Sequence, residues 1–392
     1  MTEQAGPVPF RHLLLKIHSR CNLSCRYCYV YEHADQSWRR QPLVMSPKTI
    51  DLAARRLADH ARTWQLSRVT VTFHGGEPLL AGVEVIEYAV AAFRQALPAD
   101  VTAGFTIQTN GILLSEAFLE SFRRNEMLVG VSLDGGHEAT DRERRYAHGG
   151  GSFDDAAAGL ARLRQPRYRH LFSGLLCTVD LRNDPIDVYE GLLSFEPPRI
   201  DLLLPHGNWT TPPPGRDPTD ERTPYADWLI AVFDRWYDAP RRETDIRLFS
   251  AIMSLLFGGP GGLETVGLEP IDFVIVETDG SIEQGDALKT TAEGMAATGM
   301  HVARNAFDEV LALPGIRARQ IGLAALGDIC RRCELVRFCG GGHYAHRYQA
   351  GTGFANPSVY CLDQQRLIRH IYQRVRQDLH RLVGSAPMTT LG

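Results

Sequence analysis

The chain has no long apolar run and no strong excess of charge of either sign. Its 392 residues contain no hydrophobic stretch of about 18 residues, the length that a membrane-spanning helix requires. Its 42 basic and 46 acidic residues give a net charge of −4, which lacks the electrostatic footprint of a protein that binds nucleic acid or acidic membranes. We therefore expect neither nucleic acid nor membrane as a partner.

Residues 1–10 lack the charged-then-apolar layout of a secretory signal peptide. The chain has eight cysteines, and seven of them fall in two tight groups. A disulfide framework is typical of small secreted proteins, whereas grouped cysteines in a large chain favour metal binding in a reducing compartment. The sequence therefore predicts a cytoplasmic metalloprotein.

The first group consists of Cys21, Cys25 and Cys28, in a C-x3-C-x2-C pattern. Cysteine thiolates hold iron–sulfur clusters, and three of them can bind three irons of a [4Fe–4S] cube and leave the fourth iron open. A closed zinc site would instead use four ligands. The triplet predicts a reactive cluster whose open iron binds a small molecule and passes it an electron.

Residues 1–235 alternate strand-like and helix-like segments. The expected strands are Leu13–Ile17, Val69–Phe73, Phe105–Gln108, Leu128–Leu133, Phe172–Val179 and Ile200–Leu204. The expected helices between them include Pro47–Thr63, Gly82–Ala96, Ser115–Arg123 and Asp154–Leu163, with Ser46 and Ser152 as N-caps. Strands separated by helices predict parallel βαβ units, and six units suffice for a partly closed α/β barrel. Chemistry in such barrels collects at the C-terminal ends of the strands.

The remaining chain is expected to form two further regions. Residues 236–320 form a bridging region with a β-hairpin, whose strands Ile271–Val276 and Ser281–Glu283 flank an Asp279-Gly280 turn. Residues 321–392 form the second region, in which Cys330 to Cys361 is rich in cysteine, glycine and aromatics and a helix follows over Leu362–Leu382.

Polar motifs follow the predicted strands. They are His74-Gly75-Gly76-Glu77-Pro78, Gln108-Thr109-Asn110-Gly111 and Ser132-Leu133-Asp134-Gly135. Glycines allow a ligand to approach the backbone, Glu77 can pair with an ammonium group, and Ser132 with Asp134 can bind ribose hydroxyls. Each motif alone also fits an ordinary turn. Arg144 lies in the charged run 141–145, a pattern typical of a solvated face.

Taken in this order, the cysteine triplet and the strand-end motifs resemble the radical S-adenosylmethionine (SAM) superfamily over about the first 210 residues. The resemblance implies that Cys21, Cys25 and Cys28 bind the [4Fe–4S] cluster, whose open iron chelates SAM. It further implies that the remaining motif residues contact SAM: Tyr27 at adenine, Gly75, Gly76 and Glu77 at the amine, Asn110 at the third strand, Ser132 and Asp134 at ribose, and Arg144 at the carboxylate.

The second group comprises Cys330, Cys333, Cys339 and Cys361. Four thiolates suit a complete cluster or a zinc ion equally well by spacing alone. Because this segment follows a radical SAM barrel in the sequence, it resembles the SPASM extension, and that resemblance implies auxiliary iron–sulfur clusters. Extensions with two such clusters generally have seven cysteines, one of them after the hairpin. Here the hairpin has none, so we expect one auxiliary [4Fe–4S] cluster that carries electrons or supports the fold, with Asp286 a turn residue rather than a ligand.

The run from Cys339 to Tyr348, with Asn356-Pro357-Ser358 after it, resembles the FxsB-type peptide maturases. This resemblance implies a cyclophane cross-link between an aromatic ring carbon and the β-carbon of a nearby residue in a ribosomally made precursor peptide. It also implies an electron donor such as flavodoxin or ferredoxin. Candidate proton acceptors are His206, His343 and Tyr344, although residues of these types are more often packed polar groups.

Two alternatives stay open. Sulfatase maturation, or thioether formation from a peptide cysteine, would use the same barrel, but two auxiliary clusters and seven downstream cysteines are expected for sulfatase maturation. A non-catalytic iron–sulfur protein that binds a peptide or carries electrons has no need of Gly75, Gly76, Glu77 or Asp134. No peptide-binding module precedes Leu13, so we expect a leader sequence to be bound elsewhere or by a separate protein.

Overall fold

A ten-stranded sheet organises residues 6–217 and 219–384, the part of the chain that the computed structural model describes. In chain order its strands are β1 (His12–His18), β2 (Arg68–Gly75), β3 (Thr102–Thr109), β4 (Leu128–Ser132), β5 (Phe172–Thr178), β6 (Arg199–Leu203), β7 (Asp245–Ile246), β8 (Phe273–Val276), β9 (Ser281–Glu283) and β10 (Ala297–His301). They lie side by side in the order β10-β9-β8-β1-β2-β3-β4-β5-β6-β7.

Helices connect and cover these strands. They are α1 (Pro47–Thr63), α2 (Val83–Ala96), α3 (Glu116–Asn125), α4 (His137–Glu143), α5 (Phe153–Leu163), α6 (Pro185–Leu193), α7 (Pro224–Tyr237), α8 (Arg247–Leu256), α9 (Phe307–Leu311), α10 (Pro314–Ala318), α11 (Asp328–Arg331), α12 (Val336–Cys339) and α13 (Cys361–Gly384).

Strands β1 to β6 are parallel neighbours with at least one helix between each consecutive pair. Strand β1 pairs with β2 and β8 rather than with β6, so the barrel is partial. The predicted six-unit α/β barrel is therefore confirmed.

The local sequence explains why these elements form. Leu13, Leu15 and Ile17 of β1 are fully buried, because alternate side chains of a strand share one face. Helix α1 begins where predicted, with the Ser46 hydroxyl accepting the Thr49 N–H at 3.1 Å. Ser152 makes no such cap, and its hydroxyl instead donates to the Arg144 carbonyl at 2.6 Å.

The hairpin belongs to the barrel sheet. As predicted, β8 and β9 pair antiparallel, but β8 also pairs in parallel with β1, and β10 extends the sheet beyond β9. The expected bridging region, residues 236–320, therefore adds strands to the same sheet, and the expected boundary at residue 235 does not interrupt it. Helix α13 packs back on α7 and α8.

Across the described ranges, no helix combines the length and the apolar character needed to cross a bilayer.

Candidate active site

The loop that follows β1 carries the first cysteine group. The Cys28 N–H donates to the Cys25 carbonyl at 3.0 Å, and the Ser24 N–H donates to the Arg145 carbonyl at 2.7 Å. All three thiols line one cavity at the C-terminal edge of the strands. The cysteine loop therefore lies where a parallel barrel places its chemistry.

Seven of the eight residues predicted to contact SAM line that cavity with the cysteines: Tyr27, Gly75, Gly76, Glu77, Asn110, Ser132 and Arg144. They come from the ends of β2, β3 and β4 and from two loops that are distant in sequence. The structure thus brings the strand-end motifs together at one place. Their individual contacts to SAM stay predictions.

Asp134, the eighth residue, is not among the cavity-lining residues. Its carboxylate accepts the Tyr27 hydroxyl at 2.5 Å and the Thr178 N–H at 3.0 Å. Arg144 in turn donates to the Tyr27 hydroxyl oxygen at 2.7 Å. Burial raises the pKa of Asp134, although the Arg144 charge opposes this shift. Asp134 therefore anchors Tyr27, and Ser132 is the member of the predicted ribose pair that faces the cavity.

Arg144 corrects the expectation of a solvated charged run. It follows α4, a helix that the charged sequence did not predict, and only 9% of its surface is exposed. Its guanidinium lies close enough to Cys25 to lower the pKa of that thiol against the effect of burial. A buried cation beside the cysteine loop is suited to hold an anionic group.

Gly75 and Gly76 are required by packing of the protein against itself. A Cβ on Gly75 would lie 2.1 Å from the His18 carbonyl oxygen, and one on Gly76 would lie 1.9 Å from the Tyr31 hydroxyl oxygen. The Gly76 N–H donates to the His18 carbonyl, and the Glu77 N–H donates to that of Arg20. The glycines thus fix the start of the cysteine loop against the end of β2.

Glu77 is buried and hydrogen bonded on both oxygens. It accepts the Thr109 hydroxyl at 2.8 Å, the Asn110 N–H at 2.8 Å and the Leu79 N–H at 3.0 Å. Burial raises the pKa of this carboxyl. Glu77 therefore holds the end of β3 at the cavity, in addition to the predicted pairing with an ammonium group.

The first cysteine group fits an iron–sulfur cluster. Burial raises the pKa of Cys21 to about 12 and that of Cys25 to about 11, so the protein alone leaves these thiols protonated at neutral pH. Coordination to a metal removes such protons because the metal supplies the missing positive charge. Three thiols converging on a cavity, next to Arg144, match a cluster with one open iron and an anionic ligand.

The three predicted proton acceptors occupy different surroundings. His206 follows β6 and lines the cavity. His343 lies behind it, with the ring centroids 5.3 Å apart, and is not a lining residue. Tyr344 stacks on Phe354 at 4.2 Å and packs in an apolar cluster, so the structure gives it a packing role.

Sequence reasoning missed His346. Its Nε2 lies 3.1 Å from Nδ1 of His206, and its own Nδ1 is buried without a hydrogen-bond partner. Fourteen histidines scattered along the chain gave no signal for this one. The sequence feature that could have identified it is its spacing of three residues from His343, which places both histidines on one short helical turn.

The second cysteine group is assembled by two short helices, the turn between them and the long C-terminal helix. Cys330 lies on α11, Cys339 ends α12 and Cys361 begins α13, while Cys333 follows α11 and donates its N–H to the Cys330 carbonyl. Cys361 is close enough to Cys330 and Cys339 to raise the pKa of both thiols, in addition to the larger effect of burial. The four thiols thus form one donor set.

Asp286, expected from sequence to be a turn residue rather than a ligand, begins a short helical turn. It is buried and forms an ion pair with Lys16 of β1 at 2.6 Å. Lys289 lies beside it and pairs with Glu277 at 2.6 Å and Glu283 at 2.9 Å. This buried ion cluster, Lys16, Glu277, Glu283, Asp286 and Lys289, joins the hairpin to the barrel.

Comparisons with known proteins agree with this geometry. Residues 15–179 match the radical SAM superfamily model. The chain is 27% identical over 278 residues to a cysteine-type anaerobic sulfatase-maturating enzyme of Clostridium novyi, which covers 69% of this chain and 71% of the relative.

Two solved structures share the fold. Native anSMEcpe with bound AdoMet (SAM) and the Cp18Cys peptide superposes with a TM-score of 0.77 at 21% identity, over 95% of this chain and 99% of that one. Streptococcus suis SuiB bound to precursor peptide SuiA superposes with a TM-score of 0.58 at 13% identity, over 91% and 76%. Residues 15–179 are therefore a radical SAM domain, the enzyme domain that uses a [4Fe–4S] cluster and SAM as cofactors.

Proposed function

We propose that this radical SAM enzyme cross-links a ribosomally synthesised peptide, joining an aromatic ring carbon to the β-carbon of a nearby residue. The observation that carries the proposal is the pairing of two thiol sets in one molecule, three thiols at the barrel cavity and four in the C-terminal segment. The similar structures of anSMEcpe and SuiB each hold a peptide, which supports a peptide as the substrate class.

When bound, the cluster and SAM supply one-electron cleavage of a sulfonium and a radical that removes hydrogen from an unactivated carbon. The protein's own residues hold and shield this chemistry. Among the described residues that line the cavity at the cysteine loop, Arg144 has the only buried guanidinium. The hydrogen bonds of Glu77 with Asn110 and of Tyr27 with Asp134 hold two walls of this cavity in place. Leu23, Leu176 and Leu204 add apolar lining that limits access of water.

We propose one auxiliary [4Fe–4S] cluster on Cys330, Cys333, Cys339 and Cys361. Four thiols leave no position for substrate, so a cluster held by these residues would supply electron transfer to a cross-linking reaction that, after removal of one hydrogen atom, must release one electron and one proton. Arg347 supports the arrangement, because its buried guanidinium donates to the carbonyls of Gly340, Gly341 and Gly342, which follow Cys339. These three glycines all have φ between +63° and +80°, which only glycine adopts readily.

The decisive experiment is anaerobic incubation with SAM, dithionite and a co-expressed candidate precursor peptide. We expect 5′-deoxyadenosine and a peptide lighter by two hydrogens, and tandem mass spectrometry should map the linked residues. Cys21→Ala should abolish both products, whereas Cys333→Ala should retain the first cluster. A fully loaded enzyme that forms no 5′-deoxyadenosine would refute catalysis.

Sulfatase maturation is the second candidate, because the similarity to a cysteine-type anaerobic sulfatase-maturating enzyme of Clostridium perfringens extends over 94% of this chain at 23% identity. Iron content separates the candidates. Each [4Fe–4S] cluster contributes four irons, so about eight irons per chain supports the proposed pair of clusters and about twelve refutes it. A sulfatase-derived peptide serves as the matched substrate, and its conversion in place of the precursor would favour this candidate.

A further inference from the structure

Three histidines converge at the wall of the SAM cavity. One ring nitrogen from each of His206, His343 and His346 lies within 4.8 Å of the corresponding nitrogen of the other two. The ring centroids are 4.9 to 5.3 Å apart. His206 comes from the barrel and the other two from the segment between Cys339 and Cys361, so the fold brings distant parts of the chain to this point.

We propose that His206, His343 and His346 bind a divalent first-row transition-metal ion, with Zn²⁺ as the representative, at the edge of the cavity. This site is separate from both cysteine groups and goes beyond the proposed cross-linking activity. Imidazole nitrogens suit zinc and its neighbours in the series. Three protein ligands leave a coordination position for water or for a donor atom of the substrate, as in zinc sites that act on a ligand.

The spacing of the nitrogens fits coordination. Nδ1 of His206 and Nε2 of His346 are 3.1 Å apart. Zn–N bonds of about 2.0–2.1 Å at tetrahedral angles place two ligand nitrogens about 3.3 Å apart. The same distance also fits a hydrogen bond between the rings, so metal binding would shift the shared proton to the other nitrogen of the ring that donates it.

Metal-bound histidines commonly donate the N–H of their second ring nitrogen to a carboxylate, and His343 has such a partner. Its Nε2 lies 3.4 Å from Oε2 of Glu264, and Glu264 is held by Arg319 through two contacts of 2.8 Å. A carboxylate on one ring nitrogen orients the imidazole and leaves the other nitrogen for the metal. That other nitrogen, Nδ1, now accepts the Ala345 N–H at 3.2 Å, a contact that metal binding would replace.

The polar atoms of the cluster are incompletely satisfied. Nδ1 of His346 is buried and has no hydrogen-bond partner, so this ring offers two donor atoms to an ion, Nε2 beside His206 and the unpartnered Nδ1. A buried polar atom without a partner in a native fold calls for an ion, a water or a catalytic role. Burial lowers the pKa of all three imidazoles, that of His206 to about 3, so each ring is neutral at pH 7 and has a lone pair for a metal.

Rigid neighbours hold the three rings. The Tyr360 hydroxyl donates to the Pro205 carbonyl at 2.6 Å, directly before His206, and the Tyr360 ring packs against His346 with centroids 5.1 Å apart. The Val359 N–H donates to the His346 carbonyl at 2.9 Å. Such preorganisation favours binding of a metal ion of fixed geometry. It would also make His206 a ligand instead of the predicted proton acceptor.

Zn²⁺ binding to the cluster-loaded full chain tests the proposal. After anaerobic reconstitution with iron and sulfide, the protein receives one equivalent of ZnSO₄, is desalted, and is examined by elemental analysis and zinc K-edge X-ray absorption. We expect one retained zinc per chain with a nitrogen shell at about 2.0–2.1 Å and no sulfur shell at about 2.3 Å. His343→Ala should lose this zinc, while His170→Ala, an exposed histidine, should keep it.

Zinc held by sulfur, or retained equally by His343→Ala and His206→Asn, would overturn the proposal. Iron content and circular dichroism verify that each variant is folded and loaded. The wild-type absorption spectrum decides the question by itself if a variant fails to fold. Because the readout is the zinc ligand shell, failure of this inference is distinguishable from failure of the enzyme to form 5′-deoxyadenosine or the cross-link.

Discussion

At the scale of single residues, the Tyr27 hydroxyl joins the cysteine loop to the barrel. It donates to Asp134 at the end of β4 and accepts from Arg144 beyond α4. Removing one partner from a buried charged group costs about 1–3 kcal/mol or more, because the group has already lost its water. The hydroxyl therefore matters for stability independently of any contact between the ring and adenine.

Tyr27→Phe should lower the thermal midpoint by several degrees, since it leaves Asp134 and Arg144 each short of one partner. Differential scanning fluorimetry under anaerobic conditions measures this shift. Tyr372→Phe is the matched control, because Tyr372 is exposed on α13. Equal midpoints for the two variants would show that the Tyr27 contacts contribute nothing to stability.

Gly76→Ala should reduce the iron bound by the first cysteine group. The new Cβ would lie within 2.5 Å of the Arg20 backbone as well as against Tyr31, so the start of the cysteine loop must move. Iron per chain after reconstitution is the measurement. Gly136→Ala provides the control, because a Cβ there meets nothing within 4 Å. Normal iron content in Gly76→Ala would mean that the loop tolerates the displacement.

At the scale of elements, buried charges attach the hairpin to the barrel. Lys16 of β1 pairs with Asp286, which follows β9, and Lys289 lies beside Glu277 and Glu283 of the hairpin. Glu283 is the carboxyl group of this cluster that keeps its proton most readily, because burial and the charge of Glu277 raise its pKa to about 8. The hairpin therefore has its own dependence on pH.

Folding stability should fall as pH rises from about 4.5 towards about 8, since folded Glu283 holds a proton that the unfolded chain has released. Glu283→Gln should flatten this part of the profile. Thermal midpoints at about pH 6 and about pH 8 measure the slope. Glu293→Gln, at an exposed glutamate, should leave the slope unchanged. Identical slopes for wild type and Glu283→Gln would contradict the assignment.

Arg347→Lys should selectively impair the second cysteine group. An ammonium cannot reproduce the planar set of bonds to the carbonyls of residues 340–342, so the turn after Cys339 loses its support. We expect iron to fall from about eight towards about four per chain, with the first cluster retained. Arg337→Lys, at an exposed position on α12, should keep its full iron.

The six barrel strands were predictable because each is a short apolar run between helical segments, and α1 because Ser46-Pro47 marks its start. Other elements carry weaker local signals. Helix α4 is short and charged, and its contribution, the burial of Arg144, depends on tertiary contacts with Tyr27. The β8–β1 pairing joins segments about 260 residues apart, and nothing in either segment specifies its neighbour.

The residues of the candidate site also differ in how far the sequence predicted them. Residues in strand-end motifs, such as Glu77 and Asn110, were found because parallel strands end at one edge. Asp134 was predicted as a ribose contact, and its hydrogen bond with Tyr27 depends on side-chain geometry that the motif does not specify. His346 was missed because its partner His206 lies 140 residues away.

At the scale of the whole molecule, the barrel depends on later parts of the chain, because β8 pairs with β1, and α13, which begins at Cys361, packs on α7 and α8. A chain ended after Tyr237 would leave β1 without β8 and remove α13 from α7. We expect that fragment to aggregate, because an unpaired strand edge with exposed apolar faces promotes association. Size-exclusion chromatography checks this, with a chain ended at Gly384 as the control. A monodisperse fragment with one intact cluster would show that the barrel folds alone.

The position of β1 also constrains how the protein is made. The strand that delivers the first cysteines leaves the ribosome early, yet one of its two neighbours, β8, is synthesised only after most of the chain. Until then the sheet lacks β8, and the thiols of Cys21, Cys25 and Cys28 are exposed to oxidation and to other metal ions. We therefore expect the cluster to be inserted into the barrel only after synthesis of the hairpin, which itself carries no cysteine.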